Sequence, residues 1–126
     1  MEAVVKPIYI VDDEKSIVTI AQKILERLGY QVKTEISSLE ALERFRSEPD
    51  RFDLVITDMT MPHMTGDKLV KEILSIRKDI PIILCTGFSE KITEKRAKEL
   101  CIRSFVLKPL DKRDFAITVR NVLDEK

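Results

Sequence analysis

Residues 53–66 read D-L-V-I-T-D-M-T-M-P-H-M-T-G, and this stretch decides the fold. The apolar or β-branched residues at 54–57 are typical of a strand that is buried on both faces. Asp58 follows them, and Pro62 and Gly66 indicate a loop directly after the strand. Taken alone, an aspartate at a strand end is more often a turn or helix-capping residue than a reactive one. The role of Asp58 therefore depends on which side chains the fold brings beside it.

The composition predicts a single intracellular domain over residues 1–126. The chain carries 22 basic and 22 acidic side chains, so no net charge attracts nucleic acid or an anionic membrane. No run approaches the roughly 18 apolar residues of a membrane span, and the first residues lack the basic region of a signal peptide. The three glycines form no nucleotide-binding fingerprint. Cys85 and Cys101 lack metal-ligand spacing, so we expect reduced, buried thiols in a cytoplasmic protein.

Short apolar runs alternate with amphipathic segments along the chain. The runs predict strands at 8–11, 30–36, 53–57, 82–85 and 102–107. Helices are predicted between and after them, at 16–28, after Ser37, after Thr65, at 90–100 and after Asp111. This alternation predicts an α/β fold, a doubly wound (βα)5 sheet of five parallel strands. The helix at 90–100 has a thin apolar stripe, so we expect it to be the least firmly anchored.

Local signals predict the helix ends and the buried faces. Gly29 stands where a left-handed helix C-cap is expected, and Ser37 with Glu40 forms a capping-box pattern. Thr65, Ser89 and Asp111 are the other predicted caps. Helical spacing predicts that the core-facing residues of the first two helices are Ile17, Ile20, Ala21, Ile24, Leu25, Leu28, Leu39, Leu42 and Phe45.

Polar side chains end four of the five predicted strands. Asp12 and Asp13 follow the first strand, Asp58 the third, Thr86 the fourth and Lys108 the fifth. The ligand crevice of a doubly wound sheet lies at these carboxyl ends, so we expect the five side chains to meet there. Three close carboxylates need a cation, and oxygen ligands without histidine or cysteine favour Mg²⁺. With an ammonium and a hydroxyl group nearby, the site could bind a phosphoryl group and use Asp58 as a nucleophile.

With these residues the chain resembles a receiver domain of the bacterial two-component response regulators, over essentially its whole length. The motifs that carry the resemblance are V-D-D-E at 11–14, T-D-M-T-M-P-H-M-T-G at 57–66, C-T-G at 85–87 and F-V-L-K-P at 105–109. The stretches D-M-T-M-P-H-M-T-G, L-C-T-G-F-S and K-P-L-D-K-R look most similar to receivers attached to hybrid sensor histidine kinases.

The resemblance implies a flavodoxin-like sheet with strand order 2-1-3-4-5 and a phosphoacceptor function. Asp58 would accept a phosphoryl group from a phosphohistidine on a histidine kinase or histidine phosphotransfer protein, and the acyl phosphate would later be hydrolysed. The resemblance also implies that Mg²⁺ is bound by Asp13, Asp58 and the main-chain carbonyl of Thr60, with Asp12 acting partly through water. Lys108 would contact the phosphoryl group, and its peptide bond to Pro109 would be cis.

The resemblance implies a conformational switch as well. Thr86 would move toward the phosphoryl group, and Phe105 would shift between exposed and buried positions. Phe105 replaces a tyrosine found in many relatives, so the switch would lack one hydroxyl group. The expected output surface, for a downstream protein or a second copy, combines the 90–100 helix, the fifth strand and the last helix. No direct contact with nucleic acid or membrane is expected. For the hydrolysis step, the resemblance implies that Thr60 and Phe88 flank the attacking water.

Two other functions compete with this interpretation. A phosphate-independent interaction module of the same fold would be indicated by loss of an acid or of the lysine, and none is lost. A metal-dependent phosphatase for small molecules commonly needs an acid two residues after the nucleophile, where this chain has Thr60. At single positions, Lys108 could be a solvated loop residue and Thr86 a turn residue. His63, the one histidine, is more often a solvated loop residue than a phosphodonor.

Overall fold

The computed structural model describes residues 6–87 and 98–125, which form a parallel sheet with helices on both faces. The strands are β1 (Ile8–Val11), β2 (Val32–Glu35), β3 (Leu54–Asp58), β4 (Ile82–Thr86) and β5 (Ser104–Leu107). The described helices are α1 (Lys15–Arg27), α2 (Ser38–Ser47), α3 (Gly66–Ile76) and α4 (Lys112–Asp124). The strand order is β2-β1-β3-β4-β5, and every neighbouring pair is parallel, which confirms the predicted fold. The helix predicted at 90–100, with Ser89 as its cap, falls mainly on residues 88–97, outside the described residues.

Two apolar clusters fill the space between the sheet and its helices. On one face, Tyr9 of β1 packs with residues of α2 and α3, and its ring stacks on Phe52 with centroids 4.2 Å apart. On the other face, Ile8 and Ile10 of β1 pack with residues of α1 and with Phe115 of α4. Because both faces are covered, the central strands are buried at every position, as their unbroken apolar runs predict.

The buried faces of the first two helices are narrower than predicted. In α1 the fully buried positions include Val18, whereas Ile20 and Leu28 are 49% and 56% exposed. In α2, Leu39 is 46% exposed, although Leu42 is buried as expected. The prediction of an inward position was therefore wrong for Ile20, Leu28 and Leu39. Much of a folded protein's surface is apolar, so an aliphatic residue at helical spacing need not be covered.

The predicted helix caps that lie within the described residues agree with the structure, with one difference in detail. Gly29 has φ 96° and, with Tyr30, makes the paired hydrogen bonds of a Schellman motif after α1. Ser37 accepts the Glu40 N–H at 3.3 Å, and Asp111 accepts the Asp114 N–H at 3.0 Å. Thr65 occupies the cap position of α3, but its hydroxyl donates to the carboxylate of Asp67 at 2.5 Å.

Arg77 joins two connections at the amino edge of the sheet. Its Nη1 donates to the carbonyl oxygens of Phe52 and Pro49, at 2.6 and 3.2 Å, and its Nε donates to Asp79 at 2.9 Å. The connection from α2 to β3 is thereby fixed to the connection from α3 to β4. These charge-assisted hydrogen bonds satisfy carbonyl groups that lie outside the strands.

The two cysteines differ in exposure. Cys85 is buried in β4, as predicted, but Cys101 is exposed and has φ 60°, so the prediction of a buried thiol at Cys101 was wrong. Cys101 lies just before β5, where the chain turns at the amino edge of the sheet. Across the described segments, none of the helices has the length and apolar character needed to cross a membrane.

Candidate functional site

The polar residues at the strand ends meet at the carboxyl edge of the sheet. Asp12 follows β1, Asp58 ends β3, Thr86 ends β4 and Lys108 follows β5. The parallel register places these four strand ends side by side. Asp12, Asp58 and Thr86 are each 3% exposed. The structure therefore gathers these four predicted residues into one site, in which the carboxylates of Asp12 and Asp58 and the hydroxyl of Thr86 are buried.

Lys108 connects the site electrostatically. Its Nζ lies 2.9 Å from Oδ2 of Asp12 and 2.8 Å from Oδ1 of Asp58. Burial alone would lower the pKa of Lys108, but hydrogen bonds and charge interactions with Asp58 and Asp12 outweigh burial and raise it. Its main-chain N–H also donates to the carbonyl of Thr86 at 2.7 Å. Lys108 is therefore a fixed cation at neutral pH, and its peptide bond to Pro109 is cis as expected.

Asp12 and Asp13 complete an acidic group around Asp58. Ligand oxygens of the three carboxylates all lie within 4.8 Å of one another. Burial raises the pKa of Asp12, against the lowering effects of the Glu14 N–H, which donates to its Oδ1 at 2.9 Å, and of Lys108. Asp13 is exposed.

The donor set fits a hard divalent cation. Three carboxylates gather here, and among the described residues Lys108 places one ammonium against two of them, so a further cation would favour their ionised forms. The ligand atoms are oxygens throughout, and the exposed Asp13 leaves one side of the group open to solvent. Carboxylates of this kind suit Mg²⁺, which keeps several waters.

The main chain after Asp58 is held closely against α3. The Met59 N–H donates to the carbonyl of Cys85 at 3.0 Å, and the Gly66 N–H donates to the carbonyl of Met59 at 2.7 Å. A Cβ atom on Gly66 would lie 2.1 Å from the carbonyl oxygen of Asp58. Only glycine fits at this position, because α3 begins directly against the end of β3. The sequence indicated a loop glycine here but gave no sign of this close approach.

The loop at 59–65 contains a strained turn. The Met64 N–H donates to the carbonyl of Pro62 at 2.8 Å, and the residue between them, His63, has φ 70°. This is a γ-turn of the rarer, positive-φ form. His63 is exposed, as expected for a solvated loop residue. Thr60 is also exposed and lies in the same loop, two residues after Asp58.

The structure describes only part of the predicted switch and output surface. Phe105 is partly buried in β5, pairs with Leu84 and lies three residues before Lys108. It lines a groove of about 450 Å³ between β5 and α4, together with the exposed side chains of Leu107 and Ile117. The 90–100 helix of the predicted output surface lies outside the described residues, save for its last residues. Phe88, which was predicted to flank the hydrolytic water, also lies outside them.

The chain is similar in sequence to known proteins. The chain is 33% identical to the alkaline phosphatase synthesis transcriptional regulatory protein PhoP of Bacillus subtilis over 118 residues, which cover 94% of the chain and 48% of PhoP. It is 35% identical to the response regulator SaeR of Staphylococcus epidermidis over 114 residues, which cover 90% of the chain and 48% of SaeR. The chain thus spans about half the length of these curated relatives.

Solved structures share the fold. A response regulator receiver domain protein from Clostridium thermocellum is 30% identical and superposes with a TM-score of 0.88, with 96% of each chain covered. The chemotaxis protein CheY4 of Vibrio cholerae is 30% identical and superposes with a TM-score of 0.82, with 94% of this chain and 99% of CheY4 covered. Residues 8–120 match the family model of the response regulator receiver domain. The chain therefore belongs to the response regulator receiver family of two-component systems.

Proposed function

We propose that this receiver accepts a phosphoryl group on Asp58 from a phosphohistidine, with Mg²⁺ as cofactor. The observation that carries the proposal is the position of Lys108, whose ammonium lies within 2.9 Å of both Asp12 and Asp58. A buried carboxylate beside a fixed cation, at the open end of a parallel sheet, suits nucleophilic attack on a phosphoryl group. The donor would be a histidine kinase or a histidine phosphotransfer protein.

In the proposed transfer, a carboxylate oxygen of Asp58 forms a bond to phosphorus while the bond from phosphorus to the histidine nitrogen breaks. The imidazole leaves with the electron pair and takes up a proton. In hydrolysis, a water oxygen forms a bond to phosphorus while the bond from phosphorus to the Asp58 oxygen breaks. The Asp58 carboxylate is regenerated, and inorganic phosphate leaves together with the proton that the water loses. Lys108 stays cationic throughout and neutralises charge on the transferred oxygens.

The proposed Mg²⁺ ligands are Asp12, Asp13, Asp58 and the main-chain carbonyl of Thr60, with Asp12 acting partly through water. A bound Mg²⁺ would supply positive charge to the phosphoryl oxygens. Burial disfavours the charged form of Asp12 and raises its pKa. A bound cation beside this carboxylate would have the opposite effect and favour ionisation.

The proposed switch uses Thr86 and Phe105. Thr86 is buried at the end of β4, and its main chain is hydrogen-bonded to Lys108. Its hydroxyl would donate to the new phosphoryl group, and the shift would reach Phe105 through β5. The proposed readout is a downstream protein or a second copy of the chain on the surface that includes β5, α4 and the 90–100 helix.

We propose that residues 1–126 form one such domain, located in the cytoplasm with its phosphodonor. The likeness of its motifs to receivers of hybrid sensor histidine kinases suggests a kinase region in the natural protein. The relatives given above are instead named as response and transcriptional regulators. Transfer of labelled phosphate is compared after co-expression with a hybrid sensor kinase and with a separate histidine kinase. The preferred donor distinguishes a receiver that belongs to a hybrid kinase from a separate response regulator.

Intact-mass measurement after incubation with acetyl phosphate and Mg²⁺ tests the central proposal. Wild type should gain one phosphoryl group, whereas Asp58→Asn and wild type in excess EDTA should not. Lys108→Ala should still bind Mg²⁺ but lose the phosphorylation-dependent spectral change. Equal labelling of Asp58→Asn would exclude Asp58 as the acceptor. If wild type stays unlabelled while a known receiver is labelled beside it, the phosphate-independent interaction module is the better description.

A further inference from the structure

The hydroxyl of Ser38 ties α2 to the loop that follows Asp58. Ser38 is the first residue of α2, its side chain is buried, and its Oγ donates to the carbonyl of Pro62 at 3.3 Å. The neighbouring Ser37 has the capping role, because its own Oγ accepts the Glu40 N–H. The hydroxyl of Ser38 is therefore directed to a segment 24 residues away rather than to its own helix.

The carbonyl of Pro62 is the acceptor of the strained turn in that loop. It receives the Met64 N–H at 2.8 Å as well as the Ser38 hydroxyl, and His63 between them has φ 70°. A non-glycine residue in this conformation needs support from its surroundings. Met61, directly before the turn, is buried in the core beside α2 and α3. The loop is thus fixed in its middle by Met61 and by the hydrogen bond from Ser38.

We propose that Ser38 is a positioning residue for the phosphoryl-transfer site. By fixing the carbonyl of Pro62, it sets the path of the loop at 59–65, and therefore the direction of the main-chain carbonyl of Thr60. The inference rests on the proposed function, in which that carbonyl is a Mg²⁺ ligand. Ser38 acts through the loop and touches neither metal nor phosphoryl group.

Two adjacent serine variants separate positioning from simple stability. Ser38→Ala removes the hydroxyl that reaches Pro62, and Ser37→Ala removes the helix cap without touching the loop. Mg²⁺ dissociation constants and phosphorylation rates with acetyl phosphate are measured for both, with unfolding curves alongside. We expect about two- to tenfold weaker Mg²⁺ binding in Ser38→Ala, the range of one net hydrogen bond. Ser37→Ala should lose stability but keep wild-type Mg²⁺ affinity.

Amide exchange of Met64 in the metal-free protein provides a readout that does not depend on phosphorylation. Met64 should exchange faster in Ser38→Ala than in wild type or Ser37→Ala, because the carbonyl that holds it is less constrained. If wild type binds no Mg²⁺, both the proposed function and this inference fail. If wild type binds Mg²⁺ and Ser38→Ala binds it equally well, only the positioning role of Ser38 is overturned, whether or not the Met64 exchange rate changes.

Discussion

Replacing Gly66 with alanine tests how closely α3 must approach the end of β3. The added Cβ would lie 2.1 Å from the Asp58 carbonyl oxygen and 2.8 Å from the Cα of Met59. Ordinary contact begins at 3.4 Å, so α3 and β3 must separate by about 1.3 Å at this point. Both opposing atoms are main chain, and neither can rotate away.

The expected cost lies at the upper end of the range for overpacking, about 3 kcal/mol. Alanine's helix propensity gains at most about 1 kcal/mol over glycine, and less at the first residue of a helix. For a domain of this size, a net loss of about 2 to 3 kcal/mol lowers Tm by on the order of 10 °C. The phosphorylation rate should fall at least about tenfold, because a shift near 1 Å moves the carboxylate of Asp58 away from Lys108.

Gly29→Ala is the matched control. Gly29 has φ 96°, but no atom of the described residues lies within 4 Å of an added Cβ, so alanine there introduces strain without a clash. Thermal unfolding and acetyl phosphate labelling should show both variants destabilised, with only Gly66→Ala impaired in Mg²⁺ binding and labelling. A Gly66→Ala protein with the Tm and labelling rate of wild type would refute the close-approach argument.

Substitutions at three further positions give further predictions. Lys108→Met should lower the free energy of unfolding by about 3 kcal/mol at pH 7, since it leaves buried carboxylates without their cation. Because the pKa of Lys108 is raised in the folded state, its contribution is complete below pH 10.5 and is lost as pH rises further. Urea unfolding from pH 7 to alkaline values should therefore show the two proteins converge, and a constant difference would contradict this. His63→Gly should be at least as stable as wild type and His63→Val about 1 kcal/mol less stable, because valine tolerates φ 70° poorly; equal Tm values would argue against a strained turn. Tyr9→Phe should be neutral or up to about 1 kcal/mol more stable in denaturant unfolding, since the buried hydroxyl forms no well-aligned hydrogen bond within the described chain. A loss above that size would show that the Tyr9 hydroxyl forms a stabilising hydrogen bond with the nearby Arg44.

The strands and their polar ends could be predicted from the sequence because each depends on local pattern. An unbroken apolar run such as that of β3 indicates a strand covered on both faces, and the rule for parallel sheets brings strand ends together. Asp12, Asp58, Thr86 and Lys108 were predicted to meet on this basis, and the structure places them at one edge. Their roles in phosphoryl transfer remain predictions.

Exposure at the margins of elements could not be predicted in the same way. Leu28 caps α1 and Leu39 lies in the first turn of α2, where the neighbouring layer no longer covers the helix. Cys101 lies in a turn with φ 60°, which directs its side chain outward. Periodicity gives the direction of a side chain along a regular element, but it says nothing about where the covering element ends.

Contacts between distant segments could not be predicted from the sequence either. In the sequence, Ser38 is a polar residue beside a helix cap, with no feature that indicates a distant partner. Its hydrogen bond to Pro62 depends on how the sheet positions α2 and the loop relative to each other. The close approach of Gly66 to Asp58 likewise depends on the distance between a helix and a strand. Neither feature has a local signature, because each is a property of two surfaces.

Arg77 determines where the chain tolerates cutting or insertion. Its guanidinium donates hydrogen bonds to the carbonyls of Pro49 and Phe52. A reporter domain inserted between these two residues, or new termini made there by circular permutation, would move the two carbonyls apart and break at least one of the hydrogen bonds. A biosensor built on this receiver should therefore leave residues 49–52 intact, so that the amino edge stays closed and the acidic edge is free to respond.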